Sequence, residues 1–409
     1  MRQYDIVLFG ATSFVGEILT GYLLEKYPVN GELKWAIAGR SESKLAQLKA
    51  SFGTEAASLP VIVANTGNEA SIDALVGSTK VIISTVGPYA LYGEPVIKSC
   101  VGQGTDYCDL TGEPQWIKKM LDRYEDVAKI TGARIVNSCG FDSIPSDLGV
   151  HFLQEKAKQR FGQYCRTVKM RVKTMKGAAS GGTVASMMNM IKEATKDKEL
   201  RKLLVNPYAL CPPDHPFKSK QTDLKTPAYD KDMQAWVAPF VMAAINIRIV
   251  HRTNSLLGNA YGEDFLYDEA MITGKNILGG VGAAAFSVGM GSFMLAAVIP
   301  PSRWLMEKTV LPKPGEGPSP KEQFEGHYDL RFVGKTHEGE EIRCKVTGDR
   351  DPGYGSTAKM LGQAAVCLVE DITKEDKAGG FWTPASIFGD KIIDRLEEHA
   401  GLSFSEELF

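Results

Sequence analysis

The residues with the clearest chemical meaning lie near the N-terminus. Tyr4–Phe9 (YDIVLF) is a short apolar run that opens onto Gly10-Ala-Thr-Ser-Phe-Val-Gly16. Gly10 permits a tight turn, and Gly16 lets the next helix pack closely on the strand. The free N–H groups of that helix then form an anion site for a pyrophosphate. Thr12, Ser13, Phe14 and Val15 complete the loop, with Ser13 where the usual pattern has its middle glycine. The Ser13 hydroxyl is therefore a candidate phosphate ligand. A glycine loop alone is a weak signal, but between a strand and a helix, with five further strands behind it, it points to a dinucleotide. The second strand ends in Arg40-Ser41, with Lys44 one turn later, where an NADH site would carry an acid. These groups suit a ribose 2′-phosphate, so NADPH is the expected cofactor.

Further candidates follow the later strands. Asn65 is placed to bond adenine, and Thr85-Val86-Gly87-Pro88 to lie against ribose and nicotinamide. Tyr89 is a candidate proton donor, or a ring that only packs against the cofactor. Asp142, in the loop Cys139–Asp147, is a candidate for orienting substrate or relaying a proton, with an N-cap carboxylate as the competing reading. Backbone groups near Gly87 or Gly140 are candidates for holding an oxyanion. The six histidines are scattered with no metal-binding spacing, and there is no GxSxG elbow. Neither a metal site nor serine hydrolase chemistry is expected.

The elements that must position these groups alternate. Strands are expected at Tyr4–Phe9, Leu33–Ala38, Pro60–Ala64, Val81–Thr85, Asp106–Asp109 and Arg134–Asn137. Helices are expected between them at Phe14–Lys26, Ser43–Phe52, Ala70–Val76, Pro95–Gln103 and Gln115–Thr131. Strict alternation implies a parallel, doubly wound sheet. The rhythm then changes. Ser146–Arg160 reads as a helix, and Thr167–Met175 as a strand with one wet face. Thr183–Ala194 is helical, Asp197–Asp232 is a long loop with short helices, and Val237–Val250 is a buried strand or helix. Lys313–Pro320 reads as a loop. Tyr328–Val333 and Glu341–Gly348 read as a hairpin, and Thr357–Asp371 and Asp390–Ala400 as helices.

Composition narrows the class. A chain of 409 residues with a net charge of −2 favours two or three domains and gives no bulk electrostatic case for nucleic acid. Seven cysteines without a CxxC pair read as reduced thiols, and the strand begins at Tyr4 with no leader before it, so a cytoplasmic protein is expected. The segment Asn276–Ser302 carries no charge, and Ile277–Ile299 is long enough to span a bilayer, yet it is crowded with Gly and Ala. A buried or gap-bridging element, a peripheral membrane contact and a true span all remain open for it. A homodimer is the base-rate expectation.

Read together, these motifs resemble the saccharopine dehydrogenase-like oxidoreductases, specifically their trans-acting enoyl reductase branch. The matching segments are GATSFVG (Gly10–Gly16), AGR (Ala38–Arg40), STVGPY (Ser84–Tyr89) and YCDLTGE (Tyr107–Glu113). They continue with SCGFDSIPSDLG (Ser138–Gly149), SGGT (Ser180–Thr183), GEGPS (Gly315–Ser319) and GDRDPGYGSTAKM (Gly348–Met360). The resemblance implies an NADPH-dependent oxidoreductase acting on an unsaturated acyl or polyketide chain destined for lipid. Its alternatives are an imine or carbonyl reductase, or a dinucleotide-binding lipid-surface protein without turnover. It also implies a Rossmann domain over residues 1–140 completed by about 355–409, with an α+β substrate or dimerisation domain inserted at 141–354. One departure is Pro145, where the saccharopine-forming enzymes carry Gly. A dicarboxylate substrate would also need paired arginines, and nothing pairs Arg248, Arg252, Arg343 or Arg350.

Overall fold

The computed structural model describes residues 2–177, 181–222, 224–309, 311 and 317–407, and it places their strands in two seven-stranded sheets. The first sheet holds β1 (Tyr4–Phe9), β2 (Trp35–Gly39), β3 (Val61–Val63), β4 (Thr79–Ser84), β5 (Asp106–Asp109) and β6 (Arg134–Val136). The second is built from β7 (Thr167–Lys176), β8 (Ala228–Asp230), β9 (Ala235–Pro239), β10 (Leu266–Gly274), β11 (His327–Lys335) and β12 (Glu341–Gly348). Two strands from the C-terminal part divide between them. β13 (Gly380–Trp382) joins the first sheet beside β6, and β14 (Leu402–Glu406) joins the second beside β12.

The first sheet runs in the order β13-β6-β5-β4-β1-β2-β3 and is parallel throughout. Its central strands are apolar runs because both of their faces are covered. Ile6, Val7, Leu8, Ile37, Ile82 and Ile83 are fully buried, each contributing roughly 1.5–3 kcal/mol relative to exposure. One face is covered by Phe14–Lys26 together with Thr357–Glu370, whose Met360, Leu361, Ala364 and Leu368 pack with Leu19, Tyr22 and Leu23. The expected return of the C-terminal helix to the dinucleotide-binding sheet is therefore present. β14 departs from that expectation, because it leaves for the other sheet.

The second sheet runs β14-β12-β11-β7-β10-β9-β8, with only β7 and β10 parallel. Its hairpin β11–β12 alternates buried and half-exposed residues as expected. Arg171 of β7, expected on a wet face, is instead buried between Asp230 (2.7 Å) and Asp268 (2.5 Å). Val237–Val250, expected as a strand or a helix, contains both: the end of β9 and most of the helix Ala243–Leu256. The reading of Ile277–Ile299 as a buried segment is overturned. Ile277–Val298 is one helix, and only 11% of its most apolar window is buried. Ser180 of the SGGT motif, and Lys313–Glu316 of the expected loop, lie outside the described residues.

Candidate active site

Register decides what can meet at the sheet edge. Phe9 is level with Ala38 on one side and Ser84 on the other, Ser84 is level with Asp109, and Cys108 with Val136. The loops after β1, β2, β4, β5 and β6 therefore emerge side by side, where ligands of doubly wound sheets bind.

The loop after β1 is held by its small residues and a hydroxyl relay. Gly10 has φ +93°, and a Cβ there would sit 2.6 Å from Thr85 Oγ1. A Cβ on Gly16 would collide with the Gly10 carbonyl oxygen. Ser13 caps the helix, its Oγ accepting from Gly16 N–H (3.0 Å) and donating to Thr85 Oγ1 (2.9 Å). Thr85 in turn donates to the Gly10 carbonyl (2.9 Å). The Ser13 hydroxyl, expected to face a phosphate, thus donates its proton inward, and Thr85 and Val86 support the loop from the neighbouring strand. The N–H groups of Phe14 and Val15 stay in the first helical turn without intrahelical acceptors, as an anion cradle requires. Thr12 occupies the turn ahead of them.

At the end of β2, Arg40 is exposed and has no hydrogen-bond or ion-pair partner among the described residues. Ser41 caps the next helix, accepting from Lys44 N–H at 3.4 Å. Arg40, Ser41 and Lys44 thus stand together where β2 gives way to the next helix. Asn65 lies beyond them. Its side-chain oxygen accepts from Gly67 N–H (3.0 Å) in a local turn.

The Tyr89 side chain is turned inward. Its ring is buried on Trp116 (5.4 Å between centroids), and its hydroxyl donates to the Ser84 carbonyl (2.9 Å). Burial first, and then the nearby Asp109 charge, push its ionisation well above the ordinary phenol value. The Gly87-Pro88 turn sends the chain into a short helix, Tyr89–Tyr92, whose N–H groups at Tyr89 and Ala90 donate to the Glu113 carboxylate (both 2.9 Å). Glu113 also accepts from Ser186 Oγ (2.8 Å), which ties the sheet edge to the helix Gly181–Lys196.

Asp142 behaves differently. Its carboxyl lies inside the protein, one oxygen has no hydrogen-bond partner, and the other lies against Gly112, where an added Cβ would approach to 3.2 Å. Burial, reinforced by the Glu269 carboxyl, raises it to about 7. Glu269, on β10, is itself raised to about 7 by burial, while Tyr267 hydroxyl (2.6 Å) and Asn246 Nδ2 (2.9 Å) donate to it. The second sheet thus contributes an acid that sequence reading passed over. The signal available was an Asp-Glu pair inside the run Leu266–Gly274.

An aromatic contact to the loop after β1 was also missed. Tyr354 packs edge-on against Phe14 (4.8 Å, 90°), and Asp351 holds that turn by accepting from Tyr354 N–H (2.9 Å) and Gly355 N–H (2.8 Å). Thr357 Oγ1 then accepts from Phe141 N–H (2.9 Å), joining this turn to the Asp142 loop. No group of metal-ligating side chains gathers among the described residues.

Comparison with known proteins accords with this geometry. The saccharopine dehydrogenase NADP-binding domain matches residues 6–136, so NADP is the cofactor of this edge. The solved apo saccharopine dehydrogenase (L-Glu forming) of Saccharomyces cerevisiae covers 99% of this chain and 100% of its own at a TM-score of 0.54, with 13% identity, a likeness of fold. A putative trans-acting enoyl reductase of Mycobacterium tuberculosis is 37% identical over 98% of this chain and 97% of its own. A trans-acting enoyl reductase of Mycobacterium bovis is 36% identical over 97% of this chain and 96% of its own. Similarity of that extent covers the sheet edge, the second sheet and the returning helix alike, and the chain belongs to the trans-acting enoyl reductase family of saccharopine dehydrogenase-like oxidoreductases.

Proposed function

We propose that the protein reduces an activated carbon–carbon double bond of a lipid or polyketide acyl substrate, with Asp142 as the proton donor. The observation that carries this reading is the Asp142 carboxyl, buried beside the dinucleotide edge with an unpartnered oxygen and raised to about 7. An acid in that range keeps a substantial protonated fraction at neutral pH and can still give its proton up. Bound NADPH supplies hydride to one carbon of the alkene. The chain must then protonate the neighbouring carbon and hold the enolate oxygen. Asp142 does the first. For the second, Gly140 N–H is already directed at the Asp142 carbonyl (3.4 Å), whereas Gly87 N–H has no partner among the described residues, so Gly87 is the candidate donor. Glu269 stands behind Asp142 and discourages its ionisation. Phe14–Tyr354 packing covers the phosphate loop from the C-terminal side.

A dicarboxylic amino-acid substrate has less support. Arg248 donates to backbone carbonyls, Arg252 to Leu210, Phe381 and Glu125, Arg343 to Glu341 and the Asp232 carbonyl, and Arg350 to Asp349. All four are engaged in holding the fold. The direct test is NADPH oxidation by 2-enoyl thioesters of graded chain length, with the saturated product identified by mass spectrometry. Oxidation with an amino acid and keto acid pair, but with no enoyl thioester, would overturn the proposal.

A further inference from the structure

The helix Ile277–Val298 and the helix Pro300–Thr309 that follows it form an exposed apolar surface that the reaction above does not use. Ile277, Leu278, Val281, Val288 and Leu295 are between 60% and 83% exposed. Gly279, Ala283 and Ala297 are the buried positions. Phe286, Met294 and Val298 are between 37% and 43% exposed, and with them the exposed apolar side chains wrap more than half of the circumference at about 100° per residue. A partner protein would ordinarily meet a narrower stripe, and a stable monomer rarely shows so wide a patch to water.

Charge identifies the occupant. Between Ala270 and Gly315 the sequence carries Lys275, Arg303, Lys308 and Lys313 against a single acid, Glu307. Trp304 is 59% exposed at the far end of the apolar stretch, with Lys308 Nζ 4.7 Å from its ring centroid. An apolar length bounded by cations and an indole is the pattern of an element lying at a lipid headgroup boundary. The helix does not project from the body. Its start is fastened by Thr273 Oγ1 donating to the Gly279 carbonyl (2.9 Å), and near its end Ala297 packs with Val184, Met188 and Ile191. A helix seated on the protein at both ends cannot cross a bilayer without carrying the neighbouring Lys192 and Lys196 into it.

We infer that this surface docks the enzyme flat on an anionic phospholipid bilayer and brings its acyl substrate to the site along the helix Gly181–Lys196. That helix touches the docking surface through Val184 and Met188 and the site through Ser186 and Glu113. The delivery role rests on the acyl reductase reading; the docking does not.

The test is flotation with vesicles of phosphatidylcholine, with and without phosphatidylglycerol. It uses the full chain and a variant carrying Leu278→Glu, Val281→Glu, Val288→Glu and Leu295→Glu, all at exposed positions. The unaltered protein is expected to float, more strongly with phosphatidylglycerol. The variant is expected to lose about 100-fold in partitioning while NADPH affinity is kept. Arg303→Glu with Lys308→Glu should remove only the preference for the anionic lipid. Turnover of a soluble short enoyl thioester should be unchanged in the variants, and turnover of a long one held in vesicles should fall. If the unaltered protein stays in solution with both vesicles, or forms a dimer that the four substitutions dissociate, the docking is overturned. Equal long-chain turnover by protein and variant would overturn the delivery. Flotation without turnover of any enoyl thioester would leave the docking standing and remove the proposed reaction.

Discussion

Asp109 ends β5 and Asp142 lies in the loop after β6, at one sheet edge, and the two are built in opposite ways. Asp109 accepts from Thr111 N–H (3.1 Å), Ser138 N–H (3.1 Å), Tyr107 hydroxyl (3.0 Å) and Asn137 Nδ2 (2.8 Å). Burial raises it to about 6 against the pull of those donors. Asp142, half-buried with one oxygen enclosed, has no such donors and is raised to about 7. The same residue type is a bracket where its oxygens are filled and a reagent where one is left open.

The comparison is sharpest in substitutions that keep shape. Asp142→Asn is expected to lower turnover by roughly 10²–10⁴-fold with no loss of Tm and NADPH affinity kept. Wild-type turnover should also fall as pH rises through about 7, where the donor loses its proton. The same shift bears on stability. A carboxyl raised in the fold stabilises fully below its unfolded value near 4, and that contribution is lost as pH climbs toward 7. Asp142→Asn should therefore flatten the decline in Tm over that interval. Asp109→Asn should do the reverse, costing about 2–4 kcal/mol in denaturant unfolding, because its new NH₂ faces groups that also donate. If Asp109→Asn kept its stability and Asp142→Asn lost it, the contrast between bracket and reagent would collapse.

Smaller effects test the surroundings. Arg40→Ala should weaken NADPH binding by about tenfold and leave NADH unchanged, since only a 2′-phosphate distinguishes the two. Titration by fluorescence reads both, and an equal loss for each would remove Arg40 from that role. Tyr89→Phe should cost about 1 kcal/mol of stability and change turnover by less than about threefold, as expected of a hydroxyl bonded to a carbonyl. A large loss of turnover in that variant would return Tyr89 to the chemistry.

The dinucleotide half was legible because buried parallel strands read as apolar runs bounded by glycine, and Gly10 and Gly16 are needed for sterics that sequence spacing exposes. β13 escaped notice because it has three residues and pairs only with β6. β10 escaped for a more instructive reason. Asp268 and Glu269 interrupt its apolar pattern, yet both are buried, one beside Arg171 and the other beneath Tyr267 and Asn246. Arg171 and Asn246, distant in sequence, offset the cost of burying those acids, and spacing alone does not show them. Tyr89 shows the converse limit: its place after β4 was correct, but which way the hydroxyl turned depended on Trp116 and Ser84. For Asn276–Ser302, composition announced an unusual element and only the packing showed that it faces outward.

The return of Thr357–Glu370 to the first sheet carries a consequence for synthesis. The ribosome releases β1 to β6 long before the helix that covers one of their faces. Until the chain has been made through Glu370, Leu19 and Leu23 lack part of their cover, and no early subset of residues forms the finished dinucleotide domain. Folding must wait on a contact more than 300 residues apart, such as Tyr22 with Gln363, so the nascent protein should be a slow folder and a client for chaperones that shield apolar surface.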